Sequence, residues 1–93
     1  MEEVARRLIV SGRVQGVFFR AWTVETARAL GIRGWVRNRR DGTVEIVANG
    51  SQEKISELAE RCRTGPENAR VDSVDMEEIE PFEAPGFAQA PTA

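Results

Sequence analysis

Hydrophobic and polar positions follow two different repeats along the chain, and these predict strands and helices in turn. Apolar runs and every-second-residue alternation predict four strands, at residues 6–11, 32–38, 43–48 and 71–79. Apolar spacings of three and four residues predict two helices, one from residue 19 or 20 to residue 30 and one beginning after Ser51. The resulting order is β-α-β-β-α-β. It predicts an α+β, ferredoxin-like sandwich, with two helices on one face of a four-stranded antiparallel sheet.

Local signals mark where the two predicted helices begin and end. Gly31 is expected to end the first helix, and Ser51 is expected to cap the N-terminus of the second. Apolar residues of the second helix fall on one stripe that includes Cys62, which predicts a buried face. Gly65-Pro66 is expected to end this helix.

The remaining connections predict one hairpin and one sheet edge. Asp41-Gly42 is a turn signal, so the second and third strands are expected to form a hairpin. The fourth strand is acidic, which is typical of an edge, with Val74 and Met76 facing inward. Residues 81–93 contain three prolines and are expected to form a flexible tail after an ordered core at residues 5–80. The whole chain is expected to be a single domain.

Composition excludes several classes of protein and of catalytic chemistry. The chain has 93 residues, 41% of them hydrophobic, which suffices for one compact core. It has neither an apolar run of about 20 residues, as a membrane span needs, nor a secretory apolar segment. We therefore expect a cytoplasmic protein with no membrane partner. The absence of histidine excludes His-based acid–base catalysis, and the single cysteine, Cys62, excludes an internal disulfide.

Charge is unevenly distributed between the two parts of the chain. Residues 1–66 carry 12 basic and 8 acidic side chains, whereas residues 67–93 carry 1 basic and 7 acidic ones. The basic part can steer an anionic ligand, although charges also cluster by chance. Of the 13 basic residues 12 are arginines, whose planar guanidinium suits phosphate and carboxylate, but a GC-rich genome produces the same bias.

The connection between the first strand and the first helix carries the strongest chemical signal. Its sequence, from Gly12 to Arg20, is GRVQGVFFR. A glycine-bracketed turn into a helix N-terminus exposes several backbone N–H groups, which form a cradle for an anion together with the helix dipole. Arg20 lies where the loop becomes helix, so its guanidinium can contact the same anion. A plain connector with a surface arginine is the alternative that spacing alone leaves open.

Two segments resemble the two signatures of the acylphosphatase family. GRVQGVFFR at residues 12–20 resembles the first, and GWVRNRRDGTVEIVANG at residues 34–50 resembles the second. The resemblance covers about residues 5–80. It implies a hydrolase acting on acid anhydrides, which cleaves acyl phosphates to a carboxylate and inorganic phosphate with neither metal nor cofactor.

The resemblance also implies which residues do the chemistry. Arg20 matches the family's phosphate-binding arginine, and Asn38 matches the asparagine that holds the attacking water. Thr23, one turn into the first helix, is expected to support the site. The implied phosphate-binding loop consists of Gln15, Gly16, Val17, Phe18, Phe19 and Arg20, through their backbone amides.

The sequence departs from the family's pattern at two places. Arg39 follows Asn38 where some relatives carry a small hydroxyl residue. The chain ends in AQAPTA, without a terminal aromatic or basic residue, so the pattern leaves open whether the chain end helps to hold Arg20.

Two other functions remain as alternatives. One is an acylphosphatase-like domain of the kind fused to carbamoyl-transfer maturation proteins. The other is an RNA-binding ferredoxin-like module, suggested by a basic cluster that includes Arg37 and Arg39. Such modules stack bases on exposed aromatic residues, and the hairpin offers only Trp35. We therefore expect a small acyl-phosphate substrate, no nucleic-acid partner and a monomer.

Overall fold

The computed structural model of the protein describes residues 3–93, which form five strands and two helices. The elements are β1 (Glu3–Arg13), α1 (Phe19–Ala29), β2 (Arg33–Asn38), β3 (Val44–Ser51), α2 (Gln52–Cys62), β4 (Arg70–Ile79) and β5 (Phe87–Gln89). Both helices have 11 residues, and no helix from Glu3 onward is long and apolar enough to cross a membrane.

The strands form one sheet in the order β4-β1-β3-β2-β5. β1 pairs with β3 and β4, and β2 pairs with β3, all antiparallel. Buried residues of the helices, such as Phe19 and Ile55, pack in one core with Leu8, Val36 and Ile46 from the strands. These strand residues share one face of the sheet, so both helices cover that face. The predicted ferredoxin-like α+β fold is confirmed.

The sheet has five strands and is mixed, which differs from the predicted four-stranded antiparallel sheet. β5 lies in the segment expected to be a flexible tail and pairs in parallel with β2. The Phe87 side chain is buried in the core, and hydrogen bonds from Gly34 N to Gly86 O and from Ala90 N to Val36 O, both 2.8 Å, hold the strand. The three residues of β5 are too few to show the alternation of apolar and polar positions by which a strand is predicted. Their partner strand, β2, lies about fifty positions earlier in the sequence.

β4 lies at an edge of the sheet, as its acidic sequence predicted. Val74 is half-buried and packs against the core. Met76 pairs with Leu8 and therefore lies on the same face of the sheet, as predicted, but it is 47% exposed rather than buried. An edge strand has a neighbour on one side only, so its side chains stay more open to water than those of central strands.

The predicted helix signals agree with the structure. Ser51 caps α2, because its side-chain oxygen accepts a hydrogen bond from the backbone N–H of Lys54 at 3.2 Å. Gly31 directly follows Leu30, the C-cap residue of α1, and has a left-handed φ of 73°. α2 ends at Cys62, and Gly65 then closes the turn by donating to the carbonyl oxygen of Arg61 at 2.9 Å.

Two glycines of the signature segments are required by close backbone contacts. A Cβ on Gly34 would lie 1.9 Å from the carbonyl oxygen of Val47, and one on Gly12 would lie 2.2 Å from that of Arg70. Both glycines also have positive φ values, of 143° and 123°. At Gly12 the pairing of β1 with β4 shifts register, and the chain leaves the sheet toward the loop before α1.

Candidate active site

A surface cleft of about 290 Å³ lies between the N-terminus of α1 and the end of β2. The connection before α1 and its first turn form one wall, and Asn38 of β2 and Gln89 of β5 form the other. The lining residues are Val14, Gly16, Phe18, Phe19, Arg20, Ala21, Asn38 and Gln89. The cleft therefore contains both residues, Arg20 and Asn38, that the sequence predicted as catalytic.

The loop before α1 turns sharply at two left-handed residues. Gly16 has a φ of 73°, and Phe18, which occupies the N-cap position of α1, has a φ of 72°. A left-handed conformation is unfavourable for an aromatic residue and typically occurs at functional sites, where surrounding structure holds it. The Phe18 side chain is 70% exposed beside the cleft, so burial of its ring does not explain this conformation.

The backbone N–H groups of residues 15–20 have no hydrogen-bond acceptor among residues 3–93. Residues at a helix N-terminus generally lack intrahelical acceptors for their N–H groups, and the Phe18 side chain provides no cap. The helix dipole adds a partial positive charge at the same end. Loop and helix together therefore form the kind of backbone cradle that binds anions.

Arg20 brings a full positive charge to this cradle. Its side chain is half-buried, and no carboxylate of the described residues lies within 4.0 Å of its guanidinium. Among residues 3–93, neither aspartate nor glutamate lines the cleft. An anion in the cleft thus meets one uncompensated cation and several N–H donors, without an opposing negative charge.

Asn38 lines the same cleft and carries an unused hydrogen-bond acceptor. Its Oδ1 atom is buried, yet it has no hydrogen-bond partner in the described part of the protein. Buried polar atoms usually have partners, so an unpaired amide oxygen in a cleft indicates a place for a water or ligand. The backbone of Asn38 is fixed, because it pairs with Val44 of β3 and its carbonyl oxygen accepts from Ala93 N at 3.1 Å.

Three of the other predicted site residues, Gln15, Val17 and Thr23, do not line the cleft. Gln15 donates both hydrogens of its side-chain amide to the hairpin between β2 and β3, to the carbonyl oxygens of Arg39 at 2.7 Å and Thr43 at 2.8 Å. Val17 is partly buried against the core. Thr23 is fully buried, and its hydroxyl donates to the carbonyl oxygen of Phe19 at 2.8 Å.

The C-terminal segment contributes to the cleft, which the sequence did not predict. Gln89 lines it, and Ala93 donates to Asn38 while accepting a hydrogen bond from Arg40 N at 2.8 Å. No sequence pattern marks these residues, because two of the interactions use only the backbone. The chain end contacts the backbone of Asn38, and within residues 3–93 it makes no salt bridge with Arg20.

Ionisable groups with shifted pKa values lie outside the cleft. Hydrogen bonds from Thr43 lower the pKa of Asp41, an exposed residue of the hairpin turn. Burial raises the pKa of the Cys62 thiol to about 12, and this thiol belongs to the core. In the described chain, no three His, Cys, Asp or Glu side chains converge as metal ligands would.

Comparisons with known proteins give one consistent result. The acylphosphatase family model matches residues 6–88. An acylphosphatase from Rhizorhabdus wittichii is 54% identical over 91 residues, which cover 98% of this chain and 92% of that protein. The structure of an acylphosphatase from Coxiella burnetii superposes with a TM-score of 0.92 at 40% identity and covers 95% of this chain and 93% of that one. The chain belongs to the acylphosphatase family.

A third similarity concerns a much longer protein. The structure of HypF from T. kodakarensis matches 94% of this chain with a TM-score of 0.82 at 32% identity, but the match spans only 12% of the HypF chain. The same fold is therefore also used as a small part of a larger protein.

Proposed function

We propose that this acylphosphatase hydrolyses the carboxyl–phosphate bond of its substrates in the cleft between α1 and β2. The observation that supports the proposal is the convergence of three unused groups on one space. These are the unpaired amides of residues 15–20, the Arg20 guanidinium without a carboxylate partner, and the unpartnered Oδ1 of Asn38. Each of these groups matches one requirement of phosphoryl transfer to water.

The amides and Arg20 have the task of binding the phosphate. A phosphate in the cradle accepts hydrogen bonds from the loop amides and a two-pronged contact from the guanidinium. In the transition state, charge spreads over the equatorial oxygens of the transferred group. Donors that are already held in place by the loop stabilise that charge without reorganising.

Asn38 has the task of positioning the attacking water. An amide oxygen is too weak a base to deprotonate water, but it accepts a hydrogen bond and thereby orients the water toward phosphorus. Asn38 lies at the end of β2, across the cleft from the loop, and its backbone is fixed by strand pairing. In this proposal the proton of the water passes to an oxygen of the phosphate.

The carboxylate leaving group of an acyl phosphate explains why the reaction needs no histidine as a proton donor. A carboxylate has a conjugate-acid pKa of about 4, so it departs without being protonated. The alkoxide of a phosphate monoester does need a proton, and no residue that lines the cleft can supply one readily. Acyl phosphates should therefore be good substrates and phosphate monoesters poor ones.

Two assays test this function. Purified protein should hydrolyse benzoyl phosphate, and the rate should be unchanged in excess chelator, because the described residues offer no cluster of metal ligands. The same preparation should show little hydrolysis of glycerol phosphate, a monoester whose leaving group is an alkoxide. Strict dependence on added Mg²⁺ or Zn²⁺, or comparable rates on the two substrates, would contradict the proposal.

We further propose that the protein acts in the cytoplasm as a monomer on a small acyl phosphate, without nucleic acid. Trp35 supports the last point, because the Arg37 guanidinium covers its ring at 4.6 Å and leaves it unavailable for stacking on a base. Fractionation of the source cells tests the location, and light scattering tests the monomer. Titration of a labelled RNA at low salt tests the absence of nucleic-acid binding.

The alternative of an acylphosphatase-like domain within a maturation protein has weaker support. The relative at 54% identity is named an acylphosphatase and has nearly the same length as this chain. The similarity to HypF is lower, at 32%, and involves a small part of that protein. Activity of the isolated chain on benzoyl phosphate favours the first function, whereas an inactive but folded chain favours the second.

A further inference from the structure

One side chain connects the phosphate-binding loop directly to the hairpin that carries Asn38. The Nε2 atom of Gln15 lies 2.7 Å from the carbonyl oxygen of Arg39 and 2.8 Å from that of Thr43. Arg39 directly follows Asn38, and its own N–H donates to Thr43 O at 2.9 Å. The Gln15 amide therefore sits at the base of the β2–β3 turn and contacts both of its sides.

These two hydrogen bonds link distant parts of the sequence. Their partners lie 24 and 28 residues from Gln15, and in the described chain they are the only side-chain hydrogen bonds between the loop and this hairpin. A side-chain amide has two N–H hydrogens, and both are used here. Gln15 consequently has no remaining side-chain donor for a phosphate and can contribute to the cradle only through its backbone.

The geometry points to Gln15 as a positioning residue that holds the loop amides and the Asn38 amide at a fixed separation. The inference rests on the proposed function, in which the loop binds phosphate and Asn38 orients the water. In-line attack is sensitive to such a separation, because a displacement of about 1 Å can lower the rate on the order of 100-fold. The C-terminal segment holds the backbone of Asn38 through the N–H of Ala93. Gln15 holds the turn that follows Asn38 from the other side of the cleft.

The test uses Gln15→Met, which keeps the length of the side chain but removes both donors. With Asn38 present, kcat on benzoyl phosphate should fall by about 10- to 100-fold. The inhibition constant of inorganic phosphate should change less than about twofold, because the cradle amides and Arg20 remain. Gln52→Met, the same change at an exposed position of α2, is the control and should leave both quantities unchanged.

The decisive experiment is a double-mutant cycle, in which the effect of Gln15→Met on kcat is measured again in the Asn38→Ala protein. If Gln15 acts through Asn38, the second substitution should lower kcat by less than about twofold, because coupled residues show non-additive effects. An equal fall in both backgrounds would overturn the inference, since Gln15 would then act independently of Asn38. Weaker phosphate binding with unchanged kcat would also overturn it, since Gln15 would then be a ligand.

Folding and the proposed function are checked separately. The urea midpoint of each variant shows whether it folds, and Gln15→Asn, which keeps the amide but shortens its reach, provides a milder second variant. Gln15→Asn should lower kcat in the same direction by a smaller factor. Full activity of Asn38→Ala alone would contradict the proposed function itself. Because this variant retains Gln15, its result is independent of the results for the Gln15 variants.

Discussion

The backbone N–H of Ala93 donates a hydrogen bond to the carbonyl oxygen of Asn38 at 3.1 Å, next to the cleft. The contact continues the pairing of β5 with β2 beyond its last strand residue, because Ala90 also donates to Val36 O. The C-terminal segment thus stabilises the end of β2, which carries the proposed water-binding residue Asn38.

Deletion of residues 90–93 should slow catalysis without weakening phosphate binding. The deletion removes the three backbone hydrogen bonds made by Ala90 and Ala93, so the end of β2 becomes less well fixed. We expect kcat to fall by about 10-fold, and the inhibition constant of phosphate to change little. Pro91→Ala, which leaves those bonds in place, is the control. Unchanged kcat in the deletion would show that β2 and β3 position Asn38 unaided.

Arg20→Gln should weaken phosphate binding and slow turnover together. The guanidinium meets the anion both before and during the reaction, and it is the one cationic side chain of the described residues that lines the cleft. A fall of about 100-fold or more in kcat/KM is expected, together with weaker inhibition by phosphate. Arg63→Gln removes the same charge at the C-cap of α2 and should change neither value. Unaltered phosphate inhibition in Arg20→Gln would contradict the assignment.

The kcat of the enzyme should be nearly independent of pH between about 5 and 8, because backbone amides and the Asn38 side chain do not ionise and the chain has no histidine. Asp41, the acidic residue that follows Asn38 most closely, has a lowered pKa and stays ionised throughout this range. Asp41→Asn should therefore leave the profile flat. A steep acidic limb in kcat that disappears in any single Asp or Glu amide variant would reveal a carboxylate base.

The lowered pKa of Asp41 also predicts a dependence of stability on pH. Because the carboxylate is favoured in the folded state, its stabilising effect is present above the unfolded pKa, and it is lost as pH falls through the lower folded pKa. Asp41→Asn should lower the urea midpoint at pH 7 slightly, and this loss should shrink as the pH falls below the ordinary pKa of an aspartate. A loss that does not change with pH would indicate another cause.

Glu45→Gln should destabilise the sheet on the face opposite the helices. Glu45 is 3% exposed and contacts Arg7 at 2.9 Å and Arg37 at 2.8 Å. The amide cannot pair with two guanidinium groups as the carboxylate does, and the arginines are partly screened by water. We expect a loss of roughly 1–3 kcal/mol in the free energy of unfolding. Glu57→Gln, on the surface of α2, should cost much less, and equal losses would contradict this account.

The sequence predicted best those features that depend on nearby residues. The apolar stripe that ends at Cys62, the cap at Ser51 and the hairpin turn at Asp41-Gly42 follow from spacing within one element, and the structure contains all three. Arg20 and Asn38 were predicted as site residues from the resemblance of two short motifs. The fold then brings both residues to one cleft.

The features that the sequence did not predict depend on contacts between distant residues. β5 is stable as a strand because β2 lies beside it and the Phe87 ring enters a core built by other elements. The side chain of Gln15 finds its partners 24 and 28 residues away. Local patterns carry no information about such pairings, which exist only once the sheet has formed.

Asn38→Ala tests the central claim most directly, because it removes the proposed water ligand and leaves the phosphate cradle intact. The measurement compares kcat on benzoyl phosphate with the inhibition constant of inorganic phosphate, and Asn68→Ala, an exposed asparagine before β4, serves as the control. The account predicts a fall in kcat of about 100-fold or more, with phosphate inhibition changed less than about twofold. Full activity of a folded Asn38→Ala protein would contradict it.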